Sequence, residues 1–285
     1  MKIIIAKHSG FCFGVKNAVD LALKTAKENI DRKIFTWGSL IHNEIVAGQL
    51  AEHKITATEN FDDISPNSIV LIRSHGVGKA VYERLEKMSV QVIDATCPFV
   101  QKIHKIVEDY YAQGNRILIL GLGTHPEVIG INGWCNNSAT IIDSIEEFDA
   151  LKFSPQDKIC VVVQTTYPIK KHAKIVKKIR TLQVKSLEVF DTICYTTSMR
   201  QNEAVNLSQK CDAMLVLGSK TSSNTAKLFE ICLKYCENSF LIQSLSDLER
   251  IRTIAPSTVG IVTGASTPKE LAMEASTWLK SLLTQ

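Results

Sequence analysis

The sequence predicts an α/β protein built from three similar α/β units with mostly parallel sheets. Three observations predict it. Short apolar runs rich in Val, Ile and Leu show little polar alternation, as strands buried on both faces require. Each run leads into a turn rich in Gly, Ser, Thr or His. An amphipathic helical pattern follows, and alternation of these two patterns marks parallel sheets covered by helices. The order recurs along 285 residues with little sequence shared between units, so the repeat is one of grammar.

In chain order, Ile3-Ile4-Ile5-Ala6 reads as a buried first strand. It stops at Lys7, too soon for the apolar core of a signal peptide or for a bilayer span. Val15, Val19, Ala22 and Ala26 trace one face of a helix. Ile69–Ile72 is the next clear strand. Val100, Ile103, Val107 and Tyr110 trace a second helix, ahead of the strand Arg116–Leu120. The strand 159–163 precedes the basic stretch 170–180, whose apolar residues recur at helical spacing, so its lysines form a solvated helix face. The strand 214–217 leads to a helix marked by Leu228, Ile231 and Tyr235, and 260–262 is the last strand.

Three cysteines punctuate this order near thirds of the chain: Cys12 in HSGFCFGV, Cys97 in IDATCPFV and Cys194 in FDTICYTT. They divide it into units 13–97, 98–194 and 195–285. Residues 1–12 are expected to add a strand to the last unit, because each cysteine then ends a strand at a junction between units. Asp94 and Asp191 each stand three residues before their cysteine. An aromatic, Phe13, Phe99 or Tyr195, follows each within two residues.

Composition sets outer limits. A hydrophobic fraction of 45% and a net charge of +4 are ordinary for a globular chain. The mild charge permits an anionic substrate but lacks the clustered basic face of a nucleic-acid-binding protein. No nucleic-acid or membrane partner is expected, and the chain reads as cytoplasmic. Eight cysteines in a reducing compartment point to metal ligands or buried thiols rather than disulfides.

Ligands of open α/β sheets bind beyond the carboxyl ends of the strands. Those turns contain Trp37-Gly38-Ser39-Leu40-Ile41-His42-Asn43, Arg73-Ser74-His75-Gly76, Thr124-His125-Pro126-Glu127, Gln164-Thr165-Thr166, Gly218-Ser219-Lys220-Thr221-Ser222-Ser223-Asn224 and Thr263-Gly264-Ala265-Ser266-Thr267-Pro268. Hydroxyls, imidazoles, amides and helix N-termini together suit a phosphate or diphosphate. His75-Gly76-Val77-Gly78-Lys79 lacks the pattern of a nucleotide loop, so the anion belongs to a small substrate. Helix capping explains Ser222, Ser223, Asn224, Ser266 or Thr267 singly just as well, and Thr267 to Glu270 has the form of a capping box with proline at the first helical position. His53, His104 and His172 lie in helical or polar surroundings and read as structural.

Cys135, Cys160, Cys211, Cys232 and Cys236 read as buried thiols. Cys12, Cys97 and Cys194 stand where helices begin, and the helix dipole favours the thiolate that a metal needs. Structural zinc uses paired ligands two to four residues apart, a spacing absent among these three. Widely separated single cysteines suit an iron–sulfur cluster at a junction, and three thiolates leave one iron of a 4Fe–4S cube open.

HSGFCFGVKNAV, WGSLIHN, IRSHGVG, DATCPFV, GTHPEVIG, QTT, DTICYTT, GSKTSSN and TGAST, in this order, resemble the 4-hydroxy-3-methylbut-2-enyl diphosphate reductase family of the non-mevalonate isoprenoid pathway. The resemblance implies an iron–sulfur oxidoreductase with its three units in pseudo-threefold arrangement around a central 4Fe–4S cluster held by Cys12, Cys97 and Cys194. It implies that His42, His75, His125, Ser222, Ser223, Asn224 and Ser266 bind the substrate diphosphate. Thr165, with Thr166 as the alternative, takes the threonine role, and Glu127 supplies protons from a carboxyl whose pKa must be raised. The implied reaction is reductive dehydroxylation to isopentenyl and dimethylallyl diphosphate, with electrons from a ferredoxin or flavodoxin. A zinc-dependent hydrolase or transferase of phosphate esters, and a redox sensor with a labile cluster, are the competing classes.

Overall fold

In the computed structural model, which describes residues 1–254 and 256–282, strands and helices alternate almost throughout. The elements run β1 (Lys2–Ile5), α1 (Phe13–Glu28), β2 (Ile34–Trp37), α2 (Glu44–Glu52), β3 (Ile55–Thr58), β4 (Ile69–Ile72), α3 (Lys79–Glu86), β5 (Gln91–Asp94) and α4 (Pro98–Ala112). They continue with β6 (Arg116–Leu120), α5 (Pro126–Asn132), β7 (Thr140–Ile142), α6 (Ile145–Asp149), β8 (Lys158–Val163), α7 (Ile169–Ile179) and β9 (Ser186–Val189). The chain closes with α8 (Tyr195–Ser208), β10 (Ala213–Leu217), α9 (Ser223–Tyr235), β11 (Ser239–Ile242), β12 (Thr258–Thr263) and α10 (Lys269–Ser281).

The strands form three four-stranded sheets, β11-β10-β12-β1, β3-β2-β4-β5 and β7-β6-β8-β9. All neighbouring strands run parallel. With β1 counted after β12, the three sheets share one order, 2-1-3-4. The order reverses between the first and third strands, the crevice at which open α/β sheets take ligands.

By contacts the chain forms two compact units. The first comprises Met1–Lys16, Ile41–Gln49 and Tyr195–Gln285. Its sheet is buried on both faces. Leu215, Leu217, Val259 and Ile261 face Leu271, Ala275 and Leu279 of α10. The alternate residues Met214, Val216 and Val262 face Ala204, Leu228 and Cys232 of α8 and α9. Continuous apolar strands follow from that two-sided burial.

The second unit comprises Asn17–Leu40 and Leu50–Cys194 and holds the other two sheets. In one, Leu118, Leu120, Val161 and Val163 pack on Ile175 and Ile179 of α7. Ile117, Ile119 and Val162 pack on Ile103 and Val107 of α4 and on Val128 and Ile131 of α5. In the other, Val70 and Ile72 of β4 pack against Phe35 and Trp37 of β2 and Leu85 of α3. The basic stretch is α7, with His172, Ile175, Val176 and Ile179 buried and its lysines on the other face.

One hydrogen-bond pattern recurs in every sheet. The cysteine that follows the fourth strand donates its N–H to the carbonyl two residues beyond the third strand: Cys12 to Ala265 (2.9 Å), Cys97 to Ser74 (3.0 Å) and Cys194 to Thr165 (3.0 Å). The glycine that follows the first strand donates to the last residue of the second: Gly38 to Thr58, Gly121 to Ile142 and Gly218 to Ile242. Gly218 lies at φ +146, and a Cβ there would stand 2.6 Å from Thr267 Oγ1 and 2.7 Å from Thr225 Oγ1.

Two sequence expectations are corrected. The cysteines do not end strands, because β1, β5 and β9 stop at Ile5, Asp94 and Val189. The chain leaves the sheet edge before it reaches each helix. The capping box at Thr267 does not form. Pro268 is the N-cap of α10 without a side-chain cap, and the fully buried Thr267 hydroxyl donates instead to Leu217 O at 3.1 Å.

In the second unit α5 lies against the turn after β4 with glycine on both sides. A Cβ on Gly133 would stand 2.4 Å from Gly78 Cα, although Gly133 has ordinary helical angles, φ −64 and ψ −13. Gly133→Ala is therefore expected to lower stability by about 1–3 kcal/mol through overpacking alone. Gly48→Ala, in α2 where a Cβ meets nothing within 4 Å, is expected to raise it by about 0.5–1 kcal/mol. Denaturant melts of the two variants check both signs.

Candidate active site

Each of the three cysteines stands immediately before a helix: Cys12 before α1, Cys97 as the N-cap of α4, and Cys194 before α8. All three are half-buried. The Asp-x-x-Cys spacing is a local turn. Asp94 Oδ1 accepts the N–H of Thr96 at 2.9 Å, and Asp191 Oδ1 accepts that of Ile193 at 3.4 Å, which shapes the chain just ahead of each thiol.

The other five cysteines are buried, as their sequence contexts predict. Burial pushes the Cys160 thiol up to about 12 and that of Cys232 to about 11, and it raises Cys135, Cys211 and Cys236 as well. Such sites disfavour thiolate. Cys12, Cys97 and Cys194 differ from these five in standing half-buried at helix starts.

In the second unit, His75, His125, Glu127 and Thr165 come from three turns. His125 caps α5, its Nδ1 accepting the Glu127 N–H at 3.2 Å. In the neutral ring the proton therefore sits on Nε2. The His75 and His125 rings meet edge to face, with centroids 5.6 Å apart at 83°. The glycine contact of α5 with the turn after β4 fixes that approach. A Cβ on Gly130 would stand 3.3 Å from Gly76 C, and Trp134 Nε1 donates to Val77 O at 3.0 Å.

Glu127 is 2% exposed. Thr165 N donates to its Oε1 and Thr165 Oγ1 to its Oε2, both at 2.6 Å. Burial raises its pKa to about 7, outweighing the two Thr165 bonds that favour the carboxylate. Thr166 turns elsewhere and accepts from Gln164 Nε2 at 2.9 Å. Gln164 Oε1 accepts the Leu122 N–H at 3.0 Å, tying the His125 loop to the turn after β8. Sequence reasoning gave Gln164 no role of its own, and its place in QTT beside Thr165 was the available signal.

The first unit holds the remaining polar groups. Ser222 caps α9, accepting from Thr225 N at 3.4 Å, so the capping explanation holds for this residue. Ser223 opens the helix. Asn224 is 4% exposed, yet neither its Oδ1 nor its Nδ2 has a hydrogen-bond partner. A buried primary amide without partners carries a desolvation cost that a bound polar ligand removes. Ser266 Oγ donates to the His42 carbonyl at 3.0 Å, and Asn43 Oδ1 caps α2 through Val46 N at 3.1 Å.

The histidines set aside as structural include His104, which is 3% exposed and stacks on Trp134 at 5.0 Å. Burial pushes its pKa down to about 4, so it stays neutral at physiological pH and fills the space beneath Gly76. Among the described residues no helix is long and apolar enough to cross a membrane.

A family model described as LytB protein matches residues 3–280. A 4-hydroxy-3-methylbut-2-enyl diphosphate reductase of Thermoanaerobacter sp. (strain X514) is 44% identical over 270 residues, covering 94% of this chain and 93% of that protein. The protein of the same name from Caldanaerobacter subterraneus subsp. tengcongensis is 42% identical over 284 residues, covering 99% and 98%. Among solved structures, the E-1-hydroxy-2-methyl-but-2-enyl-4-diphosphate reductase from Plasmodium falciparum superposes with a TM-score of 0.91 at 27% identity, over 100% of this chain and 88% of that one.

The Glu127 shift has a thermodynamic signature. The folded carboxyl, at about 7, binds its proton more tightly than a glutamate at its ordinary value of 4.5. Between those pH values the native state holds more protons than the unfolded state, so this group's contribution to stability falls as pH rises through the window. The stability difference between wild type and Glu127→Gln is expected to decline from pH 4.5 to 7. A protonated-carboxyl infrared band that titrates near 7, absent from the variant, checks the assignment directly.

Proposed function

The chain belongs to the LytB protein family, and from that premise we propose that it reduces 4-hydroxy-3-methylbut-2-enyl diphosphate to isopentenyl and dimethylallyl diphosphate. The observation that carries the reading is the buried Glu127–Thr165 pair, in a chain 44% identical to a reductase of that name over nearly its whole length. The reaction consumes two electrons and two protons. One proton leaves with the allylic oxygen as water, and the other is added to an allylic carbon.

Cys12, Cys97 and Cys194 hold a 4Fe–4S cluster in this reading. When bound, the cluster supplies single electrons and an iron position open to the allylic oxygen. The chain's own residues do the rest. His42, His75, His125, Ser222, Ser223, Asn224 and Ser266 bind the diphosphate. Support comes from the buried amide of Asn224, whose Oδ1 and Nδ2 have no hydrogen-bond partner. Neutral donors at helix starts can hold an anion without a lysine clamp.

Glu127 holds a proton below about pH 7 and gives it up near neutral pH, where a general acid works best. Thr165 touches both its oxygens and receives the role of positioning that proton toward the leaving oxygen. Above about 7 the acid form is depleted, so turnover is expected to fall with rising pH. The diphosphate charge nearby would move that value further up by like-charge repulsion.

A small one-electron carrier of the ferredoxin or flavodoxin class is the proposed donor, and the cytoplasm the proposed compartment. The divisions 13–97, 98–194 and 195–285, the last joined by strand 1–12, are the proposed α/β units, supported by the common 2-1-3-4 strand order.

Anaerobically purified, cluster-loaded protein with a chemical one-electron reductant and the allylic diphosphate tests the reading. Wild type is expected to form both products. Glu127→Gln is expected to keep its cluster and substrate affinity but to lose about 10²–10⁴-fold in turnover. Cys194→Ser is expected to lose its visible absorbance and acid-labile sulfide. Near-normal turnover by the Gln variant would remove Glu127 from the mechanism, and a colourless wild type would remove the cluster.

A further inference from the structure

Cys12 reaches its place by a longer path than its two counterparts. The segment from β1 to Cys12 covers 6–11, against 95–96 between β5 and Cys97 and 190–193 between β9 and Cys194. The two shorter approaches are shaped by their own aspartates. The longer one contains no such aspartate, and each further residue to be ordered costs backbone entropy. Other side chains hold it.

Both come from α8, the helix that begins at the residue after Cys194. Arg200 is 5% exposed. Its Nη2 donates to Gly10 O at 2.7 Å, and its Nη1 donates to Thr263 O at 3.0 Å and to Thr263 Oγ1 at 3.3 Å. Gly10 N donates to the same Thr263 hydroxyl at 2.8 Å. One guanidinium thus joins the loop to the end of β12, two residues before the carbonyl of Ala265 that receives Cys12 N–H. The planar fork of arginine can serve both carbonyls at once.

Glu203 grips the other end of the loop. Its Oε1 accepts Lys7 N at 2.5 Å, and its Oε2 accepts His8 N at 3.1 Å and lies 3.0 Å from His8 Nδ1. Gly10, at φ +99 and with Lys269 Cβ 3.0 Å from where its own Cβ would stand, allows the turn between the two grips.

We propose that Arg200 and Glu203 are positioning residues for Cys12, clamping from α8 the 7–10 loop that leads to this thiolate. The proposal rests on Cys12 being a cluster ligand. The two residues act on the cluster through the backbone of one ligand.

The test uses the full chain in both cluster-free and loaded states. Anaerobic pulse alkylation of the reduced, cluster-free protein, read by peptide mass spectrometry, gives separate rates for Cys12, Cys97 and Cys194. In Arg200→Met the Cys12 rate is expected to rise about tenfold as the loop opens locally, with the other two unchanged. Arg200→Lys is expected to restore part of the protection, and Glu203→Gln to show a smaller rise at Cys12 alone. After anaerobic loading with iron and sulfide, loss of the cluster to a chelator is expected to quicken in the same order. Unchanged Cys12 labelling in all variants overturns the clamp, and so does an equal rise at all three cysteines, which marks general loosening. A wild-type chain that takes up no cluster overturns the ligand reading itself, whatever the labelling shows.

Discussion

The hydrogen bond from each cysteine N–H to the carbonyl two residues past the third strand is the constraint on which the rest depends. It occurs three times with the same offset, at Ala265, Ser74 and Thr165. A cysteine following an edge strand would otherwise sit on a mobile connection. The bond ties it to the turn after a strand buried on both faces, so the rigidity of the core passes to the thiol. The accepting residues lie within or beside the turns that carry His75, Thr165 and Ser266. Within each sheet the thiol is therefore registered through backbone to the polar turn after the third strand, with no side chain needed to align them.

The Glu127 carboxyl shows how the same scaffold sets chemistry. Burial would by itself make this side chain a poor anion, and two short bonds from Thr165 pull it back. The balance lands near neutrality because both effects are present. Its orientation is secured from two directions. His125 accepts the Glu127 N–H and starts α5, while Gln164 binds the loop before His125. Each group is placed by a neighbour that is itself placed by the end of a strand.

Much of this was legible in the sequence, for physical reasons. Five of the six central strands, β4, β6, β8, β10 and β12, are visible because burial on both faces demands unbroken apolar runs. The sixth, β2, is equally buried, but its four residues Ile34–Trp37 include Thr36 and do not stand out as an apolar run. Of the outer strands only β1 was legible, as Ile3-Ile4-Ile5; β3, β5, β7, β9 and β11 are partly exposed, and their composition does not separate them from loops. The cysteines at helix starts and the histidine turns follow from local pattern. What depends on tertiary burial is not visible. The Glu127 shift arises from surroundings that the sequence does not list. Thr267 has the local form of a cap, but its hydroxyl lies closer to Leu217 O from another strand. Arg200 gave no signal, because its partners are backbone carbonyls 190 and 63 positions away.

The pairing of β1 with β12 also bears on how the protein is made. Gly10 and Thr263 are bonded across 253 positions, so β1 has no sheet neighbour until β12 has emerged from the ribosome. Until then the apolar residues of β1 are unpaired and Cys12 lacks the carbonyl that anchors it. The two sheets of the second unit close over much shorter separations and fold earlier. Until β12 is made, β1 stays an unpaired apolar strand whose place in the sheet is held open by sequence distance alone.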